Sequence, residues 1–212
     1  DYAKNKEWAG TIKRTKVLAN GDLDINDKDN WSAKELLPKP ASRKIWSVIP
    51  GTDYTTDYNN FVTSNATEIG NVFNLYANSI LDYHRDSNNN DGSTNNRECA
   101  SQPGVIDGTT DDLDGLINFV RGTDYFDYDA DCNLTEQRDN PMGDIYHSQL
   151  IVVGKPVADS KFVNTNQEAY WRAENDYDTW ADSPNLANRQ EILYAGSNSG
   201  ILHAIDAKTG KE

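Results

Sequence analysis

The sequence predicts a mainly β fold with a few short helices and long polar loop inserts, and three features carry that expectation. The run EILYAGSNSGILHAIDAKTG, Glu191 to Gly210, reads strand, turn, strand, turn. Ile145 to Val153 (IYHSQLIVV) is the most β-prone run ahead of it. Two stretches dense in Asn, Asp and Gly, 86–112 and 123–140, interrupt the apolar runs and read as surface inserts.

Taken in order, Trp8 to Leu18 alternates in part and reads as a strand, and Asn20-Gly21 starts a turn into the acidic loop GDLDINDKDN. Trp31 to Leu37 (WSAKELL) reads as a short helical turn ended by Pro38 and Pro40. Arg43 to Ile49 (RKIWSVI) reads as a strand stopped at Pro50-Gly51. Ile69, Val72, Phe73, Tyr76 and Ile80 fall near helical spacing, as do Leu113, Leu116, Ile117 and Val120. Gly122 then stands where a helix C-terminus wants a left-handed residue. Residues 154–189 read mostly as loop with scattered aromatics. In the final hairpin, Ile192 to Ala195 and Ile201 to Ile205 are the strands and Gly196 to Gly200 the loop between them. Asp206 to Gly210 closes it, the Asp bonding amides ahead of it and Gly taking the left-handed position. A meander ending there leaves an open edge that needs cover, so the chain reads as the front part of a larger β-rich protein.

Composition narrows the function. A net charge of -14 argues against nucleic acid, whose binding rests on phosphate neutralisation by Lys and Arg. The chain starts at Asp1 without an apolar leader, which reads as a removed signal peptide or a cut piece. No stretch approaches a membrane span. Cys99 and Cys132 both sit in polar surroundings, unlike buried inert thiols. In an oxidising compartment they are expected to pair as a disulfide, worth about 3–4 kcal/mol by chain entropy. With no CxxC and no Cys/His cluster, zinc is not expected.

Three acidic loops carry oxygen ligands at the alternating spacing Ca²⁺ takes. One is Asp127, Asp129 and Asp131, with Glu136 and Asp139 following and Cys132 where a sharp loop wants Gly. A second is Asp22, Asp24 and Asn26, followed by Asp27 rather than Gly. The third is Ser87, Asn89, Asp91 and Gly92 with Glu98, which departs from the Ca²⁺-loop frame only at its first position. None matches in full, and the competing reading of each is a solvated surface loop. Ca²⁺ ordering one of these inserts is the cofactor expectation.

His147-Ser148 could suggest a base and a nucleophile, but neighbours on a strand face opposite ways. The pair is expected to bond backbone in a tight turn together with Asp144. His203, inside the apolar run ILHAI, is expected to be a satisfied sheet residue. The cluster YWRAENDYDTW holds Tyr170, Trp171, Tyr177 and Trp180, which read either as a sugar- or partner-binding patch or as packing for a long loop; packing is the favoured reading.

Several runs together resemble the propeller-containing C-terminal region of the PilY family of type IV pilus tip-associated adhesins and assembly proteins. They are EWAGTIKR (Glu7 to Arg14), WSAKELL (Trp31 to Leu37), RKIW (Arg43 to Trp46), LINFVRG (Leu116 to Gly122), GDIYHS (Gly143 to Ser148) and LYAGSNSGILHAIDAKTG (Leu193 to Gly210). Gln149 and the loop Asn198-Ser199-Gly200 depart from the family pattern, and the family's best-known Ca²⁺ loop lies outside the matched runs. The resemblance implies a partial β-propeller, with 1–142 a pre-propeller and first-blade region and 143–212 the start of the blades. It implies a place outside the cell on the pilus, adhesion and assembly roles, minor pilins or the pilus tip as partners with a host or surface ligand besides, and no catalysis. Two rivals stand beside it. AIDAKTGK also resembles the repeats of quinoprotein dehydrogenase propellers, and a Ca²⁺-stabilised cell-surface structural module fits the acidic loops.

Overall fold

The computed structural model describes residues 9–51, 58–73, 110–125, 133 and 135–212, without the side chains of 110–112. Two compact units emerge from the contacts: Asp1–Thr11 with Leu37–Asp144, and Ile12–Leu36 with Ile145–Glu212. Among the described residues no helix is long and apolar enough to cross a membrane.

The first unit is built on two helices. In chain order the helices among the described residues are α1 Ala33–Leu36, α2 Ala66–Phe73, α3 Thr110–Arg121, α4 Glu168–Glu174, α5 Tyr177–Ala181 and α6 Pro184–Ala187. The apolar positions of α2 and α3 meet in one cluster of Ile49, Phe61, Ala66, Ile69, Leu113 and Ile117. Ile49, Ile69 and Ile117 are fully buried, each worth about 1.5–3 kcal/mol relative to exposure. The Phe61 and Phe73 rings meet edge to face at 6.2 Å. The expected end of α3 is borne out in detail. Gly122 N–H donates to Phe119 O at 2.9 Å and Thr123 N–H to Asn118 O at 2.9 Å, with Gly122 at φ +112. These are the paired bonds of a Schellman cap, which needs the left-handed residue that Gly supplies. Tyr76 and Ile80, expected on the continuation of α2, lie outside the described residues.

Arg43 to Ile49 is extended but belongs to no strand, which corrects the sequence expectation. Its backbone is met largely by amide side chains: Ile45 N–H donates to Asn59 Oδ1 at 3.1 Å and Ser47 N–H to Asn60 Oδ1 at 2.8 Å. Asn60 Nδ2 returns a bond to Ser47 O at 2.7 Å. The Asn-Asn pair thus mimics a ladder without being a strand.

The second unit holds the sheets. Strands are β1 Lys13–Arg14, β2 Lys16–Val17, β3 Leu23–Asp24, β4 Trp31–Ser32, β5 Ile151–Val153, β6 Ile192–Gly196 and β7 Leu202–Asp206. The single strand expected over 8–18 is two short ones with different partners: β1 pairs β4 and β2 pairs β3, both antiparallel. Asn30 forces the switch, because its Oδ1 accepts from Lys16 N–H at 2.9 Å while its Nδ2 donates to Asp24 O at 2.7 Å.

β5, β6 and β7 form one antiparallel sheet in that order, with Leu193 opposite Ile205 and Ala195 opposite His203. The closing hairpin therefore stands as expected. β7 alternates strictly, burying His203 and Ile205 and exposing Leu202 and Ala204. The long strand expected over 145–153 is only β5, because His147 takes φ 61 and breaks the extended run. The loop expected over 154–189 contains three short helices instead. Glu168 and Arg172 pair across one turn of α4 at 3.2 Å, and Pro184 opens α6 with its ring-fixed φ. Helix therefore exceeds strand among the described residues, so the fold is not mainly β there. The reason is the shortness of the strands, two to five residues each. Among the described residues no closed barrel or propeller is formed; the largest sheet has three strands.

Candidate functional site

The turn after β7 is held by side chains from three separate segments. Asp206 Oδ1 accepts from Lys208 N–H at 2.8 Å and Thr209 N–H at 2.6 Å, and Gln190 Nε2 donates to Asp206 Oδ2. Burial works to raise the Asp206 carboxyl, yet the bonds from Thr209, Gln190 and Lys208 together hold it below its ordinary value. Gly210 follows at φ +74, and a Cβ there would stand 2.6 Å from the Trp31 ring. Trp31 Nε1 donates to Ala207 O at 3.3 Å, and Arg14 Nη1 reaches the same carbonyl at 3.2 Å. The turn is thus seated on an indole from β4 and a guanidinium from β1. The sequence showed the turn but not its seat, since no local pattern links positions so far apart.

His203 behaves as expected: its side chain is buried, with Nδ1 2.7 Å from Glu212 Oε1. Ser148 also bonds backbone, its Oγ accepting from Gly196 N–H at 2.9 Å. His147 sits at φ 61 with its ring 4.0 Å from that of Tyr146. The Ser148 hydroxyl therefore serves the sheet.

Of the three acidic loops, only Asp22, Asp24 and Asn26 lie among the described residues. Asp22 Oδ2 accepts from Asn20 Nδ2 at 2.8 Å, and Asp24 Oδ1 accepts from Asn26 N–H at 3.3 Å. Lys16 Nζ lies 3.9 Å from Asp24 and 2.6 Å from Asp27. Its bond from Lys16 lowers the Asp27 pKa, and the same bond raises that of Lys16. The loop is thus organised around an ammonium group. Among the described residues no three His, Cys, Asp or Glu side chains are grouped as metal ligands. Asp127, Asp129, Asp131, Ser87, Asn89, Asp91 and Glu98, and the cysteines Cys99 and Cys132, lie outside the described residues.

Tyr170, Trp171, Tyr177 and Trp180 fall on α4 and α5 rather than on a loop. Their indoles are not packed away: Trp171 is 63% and Trp180 53% exposed. The tyrosines are half-buried and brace them, with ring centroids 5.4 Å apart for Tyr170–Trp171 and 5.5 Å for Tyr177–Trp180. The Tyr177 hydroxyl accepts from Ala158 N–H at 2.9 Å.

Comparison with known proteins places this chain beside two curated relatives. It is 27% identical over 213 aligned residues, the whole of this chain, to the type IV pilus biogenesis factor PilY1 of Pseudomonas aeruginosa. It is 36% identical over 103 residues, 45% of this chain, to a type IV pilus biogenesis factor PilY1 homolog of Xylella fastidiosa. The chain spans only 15% and 7% of the lengths of those relatives. No family model matches it, and no solved structure matches it.

Proposed function

The chain belongs to the PilY family, and from that premise we propose that it is part of an extracellular, non-enzymatic type IV pilus adhesin and assembly factor. The observation that carries the reading is the similarity running the whole length of the chain to a protein named for pilus biogenesis. In this reading β5, β6 and β7 are three strands of a propeller blade, and residues 143–212 begin the blades. The minor pilins or pilus tip are the partners, with a host or surface ligand met by side chains outside the sheet. Ca²⁺ held by the acidic inserts and a Cys99–Cys132 bridge belong to the same proposal.

The test is an in-frame deletion of residues 143–212 in the encoding organism, scored for sheared surface pili by immunoblot and for surface attachment. The deleted strain is expected to lose surface pili, attachment or both. Wild-type levels of both, with the shortened protein still exported, would refute the proposal.

A further inference from the structure

We infer that Asn133 is an acceptor for N-linked glycosylation, taking an oligosaccharide from a polyprenyl-diphosphate carrier; this rests on the extracellular part of the reading above. Asn-x-Ser/Thr triplets open at Asn30, Asn65 and Asn133, and the fold tells them apart. A glycosyltransferase has to reach the asparagine amide and the hydroxyl two residues on, together and from solvent. Asn30 does not offer this. Its Nδ2 donates to Asp24 O at 2.7 Å and its Oδ1 accepts from Lys16 N–H at 2.9 Å, so the amide is built into the switch between strands. The matching hydroxyl belongs to Ser32, which is buried in β4. Asn65 does not offer it either. Its half-buried Nδ2 donates to Asn60 O at 2.8 Å, and the triplet runs from a 3-10 turn straight into α2. Drawing out either amide would leave a main-chain carbonyl without its donor.

Asn133 differs on each count. Asn133 and Thr135 are both exposed. Thr135 Oγ1 donates to Asn133 Oδ1 at 3.0 Å, so the amide and the hydroxyl already stand side by side. Asn133 Nδ2 donates to Glu136 Oε2 at 3.1 Å, an exposed bond between side chains that water replaces at little cost. The chain is pinned just beyond the triplet. Asp124 N–H donates to Glu136 O at 2.8 Å and Arg138 N–H to Gly122 O at 2.9 Å, around the bridge of Thr123 with Gln137. The acceptor therefore stands at the rim of an anchored base, where a bulky hydrated glycan is carried without opening the bridge. In the transfer Nδ2 bonds to the anomeric carbon of the sugar and gives up one proton to a base of the transferase. The bond from that carbon to the carrier phosphate breaks, and the polyprenyl diphosphate leaves with the electron pair.

The experiment takes the full-length protein from the sheared surface fraction of the encoding organism, reduces and alkylates it, and maps its tryptic peptides by mass spectrometry. Peptide 122–138 holds Asn133 and no other such triplet. It is expected to carry an added mass of whole hexose or N-acetylhexosamine residues, which electron-transfer fragmentation places on Asn133. The peptides holding Asn30 and Asn65 should carry none. Asn133→Gln and Thr135→Ala should each abolish the added mass, and Thr135→Ser, which keeps the hydroxyl, should retain it. An unmodified peptide 122–138 from the surface fraction would overturn the inference and leave the pilus reading standing. Sugar on a hydroxyl that survives Asn133→Gln, or sugar on Asn30 or Asn65 instead, would overturn it too. Protein confined to the cytoplasm would take the extracellular reading down with it.

Discussion

Arg43 and Arg121 each donate a guanidinium hydrogen bond to the other's main-chain carbonyl, at 3.1 Å and 2.5 Å. Both side chains are buried. Arg121 also donates to Asn59 Oδ1 at 3.1 Å and Phe61 O at 2.9 Å, so one planar group closes the end of α3, the extended segment and the start of the next turn together. Burial, and secondarily the charge of Arg43, lower the Arg121 pKa. Neutral oxygens arranged around the fork offset that cost.

Replacing Arg121 should therefore unfold the first unit's core more readily than its apolar loss alone would. Arg121→Ala removes the side-chain donor from Arg43 O, Phe61 O and Asn59 Oδ1, the last of which keeps the Ile45 amide, and is expected to cost about 3 kcal/mol. Arg121→Lys should recover little of this, because a single ammonium cannot serve acceptors spread across a fork. Urea melts followed by fluorescence measure both; a Lys variant as stable as the wild type would contradict the geometry.

The Gly210–Trp31 contact makes a second prediction. Gly210→Ala must bear both a positive φ and a methyl group set against the indole, and should cost about 2 kcal/mol or more. Trp31→Ala should also destabilise, by removing the seat and the bond to Ala207. In the double variant the clash has gone and only the backbone strain of about 1 kcal/mol remains. The two changes are thus expected to be less than additive in a double-mutant cycle. Additive losses would mean that the turn does not rest on the ring.

What the sequence disclosed follows the range of each interaction. The hairpin, the Asp206 turn and the Gly122 cap are set by residues within a few positions of one another, and each was readable. The strand expected over 43–49 failed because alternation reports extension, not whether the partner is another strand or the amides of Asn59 and Asn60. The helices α4, α5 and α6 are too short for an apolar period to show, although the Glu168–Arg172 spacing and Ser183-Pro184 were local signs of them. The Trp31 seat lies beyond any local pattern. The four aromatics stood out as a local cluster for which packing was the favoured reading, and the exposure of Trp171 and Trp180 on two short helices shows only in the fold.

Acid should loosen the hairpin turn through Asp206. Its folded pKa lies below the ordinary 3.8, so the carboxylate form is favoured by the fold. The stabilisation is present above that ordinary value and is lost as pH falls through the lower, folded one. Melting temperature measured from pH 6 to about pH 2 should thus drop on the acid side for the wild type. Asp206→Asn should be less stable at neutral pH and show a shallower acid drop. An acid limb of unchanged depth in the variant would remove Asp206 from the cause.

Ser148 offers a local rather than a global test. Its hydroxyl accepts the Gly196 amide at the end of β6, where the broken run at His147 leaves β5 too short to do so with a carbonyl. Ser148→Ala deletes that acceptor and should cost about 1 kcal/mol. The bond lies at the margin of the sheet, so the loss should appear first as faster hydrogen exchange at Gly196. Exchange at Tyr194 and Ile205, in the middle of β6 and near the end of β7, should change less. Ser148→Thr keeps the oxygen and should retain most of the protection. Equal acceleration across the whole sheet would instead mean that Ser148 supports the unit as a body rather than closing one end of a strand.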